Sequence, residues 1–221
     1  MTENIKGNIL IVTSVEAEKK AIEAGIGSNE RVDVIAAGVG PVIAAVNTVK
    51  QLHKASYGAV INMGIAGGMP DQTAIGDAVI GTASCAADLG FESPDGFKPI
   101  DELGFATANV YPDHPLFNRL SSRLGLAGDM TVHEGVILTL STVTGTEETR
   151  TELQHRIPEG SAEAMEGFGI MTAAQEMRIP AVEVRAVSNY IGLRNKDEWR
   201  LQEAFDVLTK AAAHILKELS V

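Results

Sequence analysis

The chain has 221 residues, 45% of them hydrophobic, and its 29 acidic against 18 basic side chains give a formal net charge of -11 at pH 7. That length buries the core of one domain, 1–221. The acidic balance excludes a protein that tracks a nucleic-acid backbone, because such binding replaces condensed counterions with Lys and Arg clusters, and Lys19-Lys20 is the nearest approach to one.

The first apolar run, Ile9–Val12, is too short for a signal-peptide core or a membrane span. The single cysteine, Cys85, admits no internal disulfide. We therefore expect a cytoplasmic protein with no membrane partner.

In chain order, the pattern predicts a strand over Asn8–Thr13, a helix over Glu16–Ala24, a strand over Val32–Ala37 and a helix over Val42–Lys54. Strands follow over Ala59–Met63 and Asp77–Thr82. Residues 84 to 114 break the rhythm with three prolines, three glycines and several acids, and read as one long connection, a kind that is usually functional or interfacial. Beyond it come a strand over Gly135–Leu140, helices over Glu147–Arg156 and Phe168–Met177, a strand over Ala181–Ser188 and a helix over Glu198–Leu219. The last helix carries the best-defined apolar stripe, Leu201, Phe205, Leu208, Ala212, Ile215 and Leu219. Strands such as AVINM, apolar at nearly every position, suit a sheet covered on both faces. The expected fold is α/β, a three-layer sandwich with a mixed, mainly parallel central sheet.

In such sheets ligands collect at the carboxyl ends of strands, so polar residues just after an apolar run carry the information. The first strand ends in TSVEAE, which puts Glu16 and Glu18 where a nucleotide-binding fold has its glycine-rich turn. Each is either a first-turn acid facing the helix dipole or a chemical group. GVGPV at 38–42 and NMGIAGG at 62–68 place glycines at strand ends, where backbone can approach a ligand or simply reverse. Glu166 stands between Met165 and an apolar helix; it is either a helix N-terminal acid or a carboxylate that needs polar partners such as sugar hydroxyls. Asn189 closes an apolar strand, as a turn residue or as an amide offered to a ligand. Trp199 reads as a packing aromatic rather than a ligand platform. The five histidines show no metal-ligand spacing, so neither a metal nor another cofactor is expected.

ILIVTSVEAE, GVGPVIAA, NMGIAGG, TVTGT, AEAMEGFG and EVRAVSNYIGLRNKDEW together resemble the purine nucleoside phosphorylase and nucleosidase superfamily along nearly the whole chain. DLGFESPDGF and the SN-Y-I-G-x-R ending favour its futalosine hydrolase branch. The resemblance implies a nucleoside phosphorylase-like fold and hydrolysis of the N-glycosidic bond of futalosine, releasing hypoxanthine and dehypoxanthine futalosine in menaquinone biosynthesis. It implies that Glu18 activates water, that Met165 and Glu166 hold the ribose, and that Val143 and Thr144 flank the base, with Thr144 backbone groups reading its edge. Position 189, an Asp in methylthioadenosine/S-adenosylhomocysteine nucleosidases, is Asn here. An Asn amide donates to N7 and to a 6-oxo oxygen, which suits hypoxanthine, whereas a carboxylate facing O6 is repelled. Arg194 is the candidate partner of the futalosine carboxylate, or else forms a surface ion pair. The resemblance also implies a homodimer or higher homo-oligomer, with the segment around Phe97 to Phe105 closing the 5′ pocket. The rival readings are a phosphorylase for 6-oxopurine nucleosides, an adenine-type nucleosidase and a non-enzymatic binding protein.

Overall fold

The computed structural model describes residues 5–219. Its elements run β1 (Asn8–Thr13), α1 (Glu16–Ile26), β2 (Val32–Ala36), α2 (Pro41–Leu52), β3 (Tyr57–Gly68), β4 (Ala78–Ala86), β5 (Gly90–Ser93), β6 (Gly96–Pro99), β7 (Asn109–Val110) and α3 (His114–Gly125). There follow β8 (Val132–Thr139), α4 (Glu147–Arg156), β9 (Gly160–Ala164), α5 (Gly167–Glu176), β10 (Ala181–Tyr190) and α6 (Leu201–Leu219).

The central sheet is mixed, in the order β10-β4-β8-β9-β3-β1-β2. Its parallel pairs are β1–β2, β1–β3, β3–β10, β4–β8 and β8–β9; β10–β4, β3–β9 and β4–β7 run antiparallel. Because β3 also pairs with β10, the strands β3-β10-β4-β8-β9 close on themselves within the expected mixed, mainly parallel central sheet. On one side Ile22 of α1, Leu120 and Leu124 of α3, and Leu208, Ala212 and Ile215 of α6 pack against Ile9, Ile61 and Val184, all fully buried. On the other, Ala44 and Leu52 of α2 and Ile170 and Ala174 of α5 cover Leu10, Val12 and Val60. The sheet is thus covered on both faces, as its apolar strands require.

Several elements depart from the sequence expectation. β3 continues through NMGIAGG to Gly68, because β10 pairs along it as far as Tyr190 and β9 takes up Gly67 and Gly68 at its end. The segment 84–114 holds a hairpin, β5–β6, a short 3-10 turn over Ile100–Leu103, and β7. α3 was missed although Asp113 caps it by accepting from Leu116 N and Leu116, Phe117, Leu120 and Leu124 form its buried stripe. β9 is absent from the expected list, being short and made of small residues. α6 begins at Leu201 rather than at 198, since Lys196–Glu198 forms a separate 3-10 turn.

Candidate active site

A cleft of about 310 Å³ opens at the carboxyl ends of β1, β3, β9 and β10. It is lined by the β1–α1 turn with Glu18, by Ile65 to Gly67 of β3, by Glu163 to Glu166, by Val143 and Thr144, and by Ser188, Asn189, Ile191 and Trp199. The topology brings these distant segments together, as the rule for ligands in open α/β sheets leads one to expect.

One end of the cleft is a cluster of buried charge. Glu18 is only 2% exposed, while its neighbour Glu16 faces solvent. Glu18 Oε2 accepts from Ser14 N and Ser14 Oγ, both at 2.9 Å, and from Val15 N at 3.1 Å; its Oε1 accepts from Ile65 N at 2.9 Å. Four donors therefore fix this carboxylate over the end of β1. Gly64 permits the arrangement: a Cβ there would lie 2.6 Å from Arg185 Nη1 and 2.7 Å from Glu18 Oε1.

Glu166 is the N-cap residue of α5, yet its side chain makes no cap hydrogen bond. Its Oε1 accepts instead from Gly40 N at 3.1 Å, across the loop into α2. Gly40 holds φ 97°, a left-handed backbone that glycine adopts without penalty, and this turns its N–H toward the carboxylate. Burial pushes the Glu166 carboxyl above the ordinary range, against the pull of Arg185 and the Gly40 N–H.

Arg185, 1% exposed, joins the acids. Its Nε donates to Glu183 Oε1 at 2.8 Å, and its Nη2 lies 3.7 Å from Glu166 Oε2, with no hydrogen-bond partner of its own. Glu183 in turn accepts from the Ser84 hydroxyl. Burial opposes the guanidinium charge, but Glu183, Glu166 and Glu18 more than offset it and raise its pKa. The result is one buried cation among three buried carboxyl groups, with an unsatisfied donor beside Glu166.

The rest of the lining mixes apolar and polar side chains. Ile191 and Trp199 form part of its wall, and Trp199, expected only to pack, faces the cleft. The Asn189 amide is partly committed: Oδ1 accepts from Ser188 Oγ at 2.8 Å and Nδ2 donates to Tyr190 O at 2.9 Å. One N–H is left for a ligand, where two were expected. Glu163, 5% exposed, accepts from Thr144 N at 2.8 Å and from the Thr144 hydroxyl. The Thr144 N–H expected to read a base edge is thus already used.

Of the residues singled out by sequence, Glu18, Met165, Glu166, Val143, Thr144 and Asn189 all line this one cleft. Arg194 does not. It is exposed, stands over the Trp199 ring at 5.8 Å from its centroid, and lines a small hollow next door with Asn189 and Tyr190. Sequence reasoning missed Glu163, Glu183 and Arg185. For the last two the signal was present: AVEVRAV places two charges at i and i+2, on one face of an otherwise apolar strand.

The family model described as the Phosphorylase superfamily matches residues 9–220. The chain is 41% identical to a futalosine hydrolase of Streptomyces coelicolor over 83% of its own length and 77% of the relative's. It is 40% identical to one from Acidothermus cellulolyticus over 91% and 90%. In fold it is similar to the 5′-methylthioadenosine/S-adenosylhomocysteine nucleosidase of Neisseria meningitidis in complex with methylthio-immucillin-A, with a TM-score of 0.83, 22% identity and 96% and 99% of the two chains covered. The chain belongs to the phosphorylase superfamily and, within it, to the futalosine hydrolase family.

Proposed function

We propose that this chain is a nucleosidase that hydrolyses the N-glycosidic bond of futalosine, releasing hypoxanthine and dehypoxanthine futalosine for menaquinone biosynthesis. One observation carries the choice of water over phosphate as nucleophile. Ser14 N, Ser14 Oγ and Val15 N, the donors an anion would seek in the β1–α1 turn, are all engaged by the chain's own Glu18 carboxylate. A phosphate brought there meets a buried acid and spent donors.

Cleavage passes through an oxocarbenium-like sugar. A water oxygen forms the new bond to C1′, the C1′–N9 bond breaks, and its electron pair leaves with the base. Glu18 accepts a proton from that water. Glu166 takes hydrogen bonds from the ribose hydroxyls, which strengthen as the ring becomes cationic, and the buried Arg185 behind it favours its charged form. Met165 packs on the sugar, and Val143 flanks the base. The remaining Asn189 N–H meets the negative charge that grows on the departing purine.

Arg194 lines the hollow adjoining the cleft together with Asn189 and Trp199, and we assign it to the carboxylate at the far end of futalosine. The enzyme is placed in the cytoplasm, where its single buried thiol, Cys85, stays reduced. It works as a homo-oligomer. Val42, Ile43 and Val46 of α2 and the adjoining Val39 are 77%, 44%, 44% and 54% exposed at the rim of the cleft, an apolar face suited to a second copy. Phe105, 78% exposed, offers a further apolar contact for closing the 5′ pocket.

The test is to incubate the protein with futalosine, inosine and methylthioadenosine, with and without phosphate, and to quantify free base. Phosphate-independent release of hypoxanthine from futalosine is expected. Phosphate-dependent release overturns hydrolysis, and release of adenine alone overturns the reading of Asn189.

A further inference from the structure

The connection from β10 to α6, residues 191–200, borders the cleft, and both of its ends are pinned to the sheet. Ile191 N donates to Gly68 O at 3.1 Å and Arg200 N donates to Ser188 O at 2.8 Å, which secures Ile191 and Trp199 where they line the cleft. Between those pins the connection bonds mainly to itself. Asn195 accepts from Asp197 N at 3.2 Å and donates to Glu198 at 2.9 Å, and Trp199 N donates to Lys196 O at 3.2 Å. Among the described residues, one hydrogen bond ties the stretch 192–199 to anything outside the connection: Leu193 N donates to Glu147 Oε1 at 3.0 Å.

The acceptor is held for that bond. Glu147 stands in the first turn of α4, and its Oε2 takes Arg150 Nε and Nη2, each at 2.8 Å. Arg150 is braced in turn by donating from Nη1 to Gln154 Oε1 at 3.0 Å. Oε1 is thereby left to Leu193, whose N–H, more than Arg150, holds the Glu147 carboxyl below the ordinary range. Gly192 permits the approach: it has φ 120°, and a Cβ there would collide with Glu147 Oε1 and lie 3.2 Å from Arg150 Cδ. Because Arg150 neutralises Glu147, the fastening adds no net negative charge beside a place assigned to an anion.

The residue after Leu193 is Arg194, which lines the hollow adjoining the cleft. Ile191 and Trp199 are secured by their own pins, whereas Arg194 sits in the stretch that depends on Glu147. We propose that Glu147 is a positioning residue for substrate recognition, fixing the middle of the β10–α6 connection through Leu193 so that Arg194 meets a carboxylate at the far end of the nucleoside. This inference rests on the nucleosidase reading above and its assignment of Arg194, and deepens it. Without the bond, the stretch must be ordered when substrate binds, at an entropic cost for each residue fixed. The contact is remote from C1′ and equal in ground and transition states, so its loss falls on KM and spares kcat.

The experiment measures kcat and KM for futalosine and for its carboxamide, which keeps the shape and removes the charge, in the wild type, Glu147→Ala, Glu147→Gln, Arg194→Ala and the Glu147→Ala/Arg194→Ala double variant. The wild type is expected to show a KM about 5- to 50-fold lower for futalosine, between the values for an exposed ion pair and for a hydrogen bond to a charged group. Glu147→Ala is expected to raise KM for futalosine by about 3- to 10-fold, with kcat and the carboxamide KM within about twofold of wild type. Glu147→Gln, whose side-chain carbonyl still accepts from Leu193 N, is expected to recover most of the preference. Adding Glu147→Ala to Arg194→Ala is expected to change KM no further, since one acts through the other. An equal rise in KM for both compounds, an unaltered preference in Glu147→Ala, a Gln variant as impaired as the Ala variant, or full additivity in the double variant overturns the inference and leaves hydrolysis intact. A wild type that does not distinguish the two compounds overturns the assignment of Arg194 and this inference with it, and a wild type that does not hydrolyse futalosine overturns the nucleosidase reading itself.

Discussion

Replacing Arg185 by Met removes the only positive charge from a cluster that holds Glu183 at 2.8 Å, Glu166 at 3.7 Å and Glu18 close by. Met fills much of the volume, so the loss is electrostatic rather than a cavity. Removing one partner of a buried pair leaves an uncompensated charge and costs about 3–5 kcal/mol. For a domain of this size each kcal/mol moves Tm by about 2–4 °C, so the midpoint is expected to fall by roughly 6–20 °C at pH 8. The pH dependence carries a sign. The Glu166 carboxyl already titrates above its ordinary 4.5, and Arg185 is what pulls it down. Without Arg185 its pKa rises further. An acid whose pKa is raised by folding contributes stability below its unfolded pKa and loses it as pH climbs through the folded value. The gap between wild type and Arg185→Met is therefore expected to narrow as pH falls from 8 toward 5. Thermal unfolding followed by circular dichroism across that range reads both quantities. A loss below about 1 kcal/mol at pH 8, or a gap indifferent to pH, refutes the picture of one cation neutralising buried acids.

Three further outcomes follow from the same geometry. Glu18→Gln cannot satisfy all four donors, since its NH2 must face either Ile65 N–H or the Ser14–Val15 group; steady-state kinetics are expected to show turnover reduced by at least about 100-fold with substrate affinity largely kept, and unchanged turnover removes Glu18 from the mechanism. Glu163→Gln removes a carboxyl that burial raises above 4.5, so its Tm relative to wild type is expected to improve as pH rises from that value, and an opposite slope contradicts the assignment. Cys85 is 6% exposed and burial pushes its thiol up to about 11, so a disulfide reagent at pH 8 is expected to react slowly with the native protein and stoichiometrically after denaturation.

The helices and central strands were legible because their apolar spacing is regular and long, as in α6, where Leu208, Ala212, Ile215 and Leu219 of the expected stripe are buried although Leu201 is exposed. β9 was not, since GSAEA has no large apolar residue and becomes a strand only between the edges of β8 and β3. That omission also hid Glu163, which β9 brings to the cleft beside Thr144. Glu18 and Glu166 were visible as acids next to apolar runs. Their partners Ser14, Gly40 and Ile65 were not, because those contacts are mostly backbone amides positioned by the fold, with the Ser14 hydroxyl the one side chain among them. Arg194 was chosen by charge alone, and charge says nothing of whether a loop points into a cleft or along its rim.

The central claim is that a buried glutamate directs water, in a turn whose donors it already occupies and so withholds from phosphate. It is tested most directly by running the reaction with futalosine in 18O-labelled water with phosphate present, then analysing the products by mass spectrometry. The expected result is one 18O atom in dehypoxanthine futalosine, none in hypoxanthine, and no sugar phosphate. A phosphorylated sugar product free of label would contradict it.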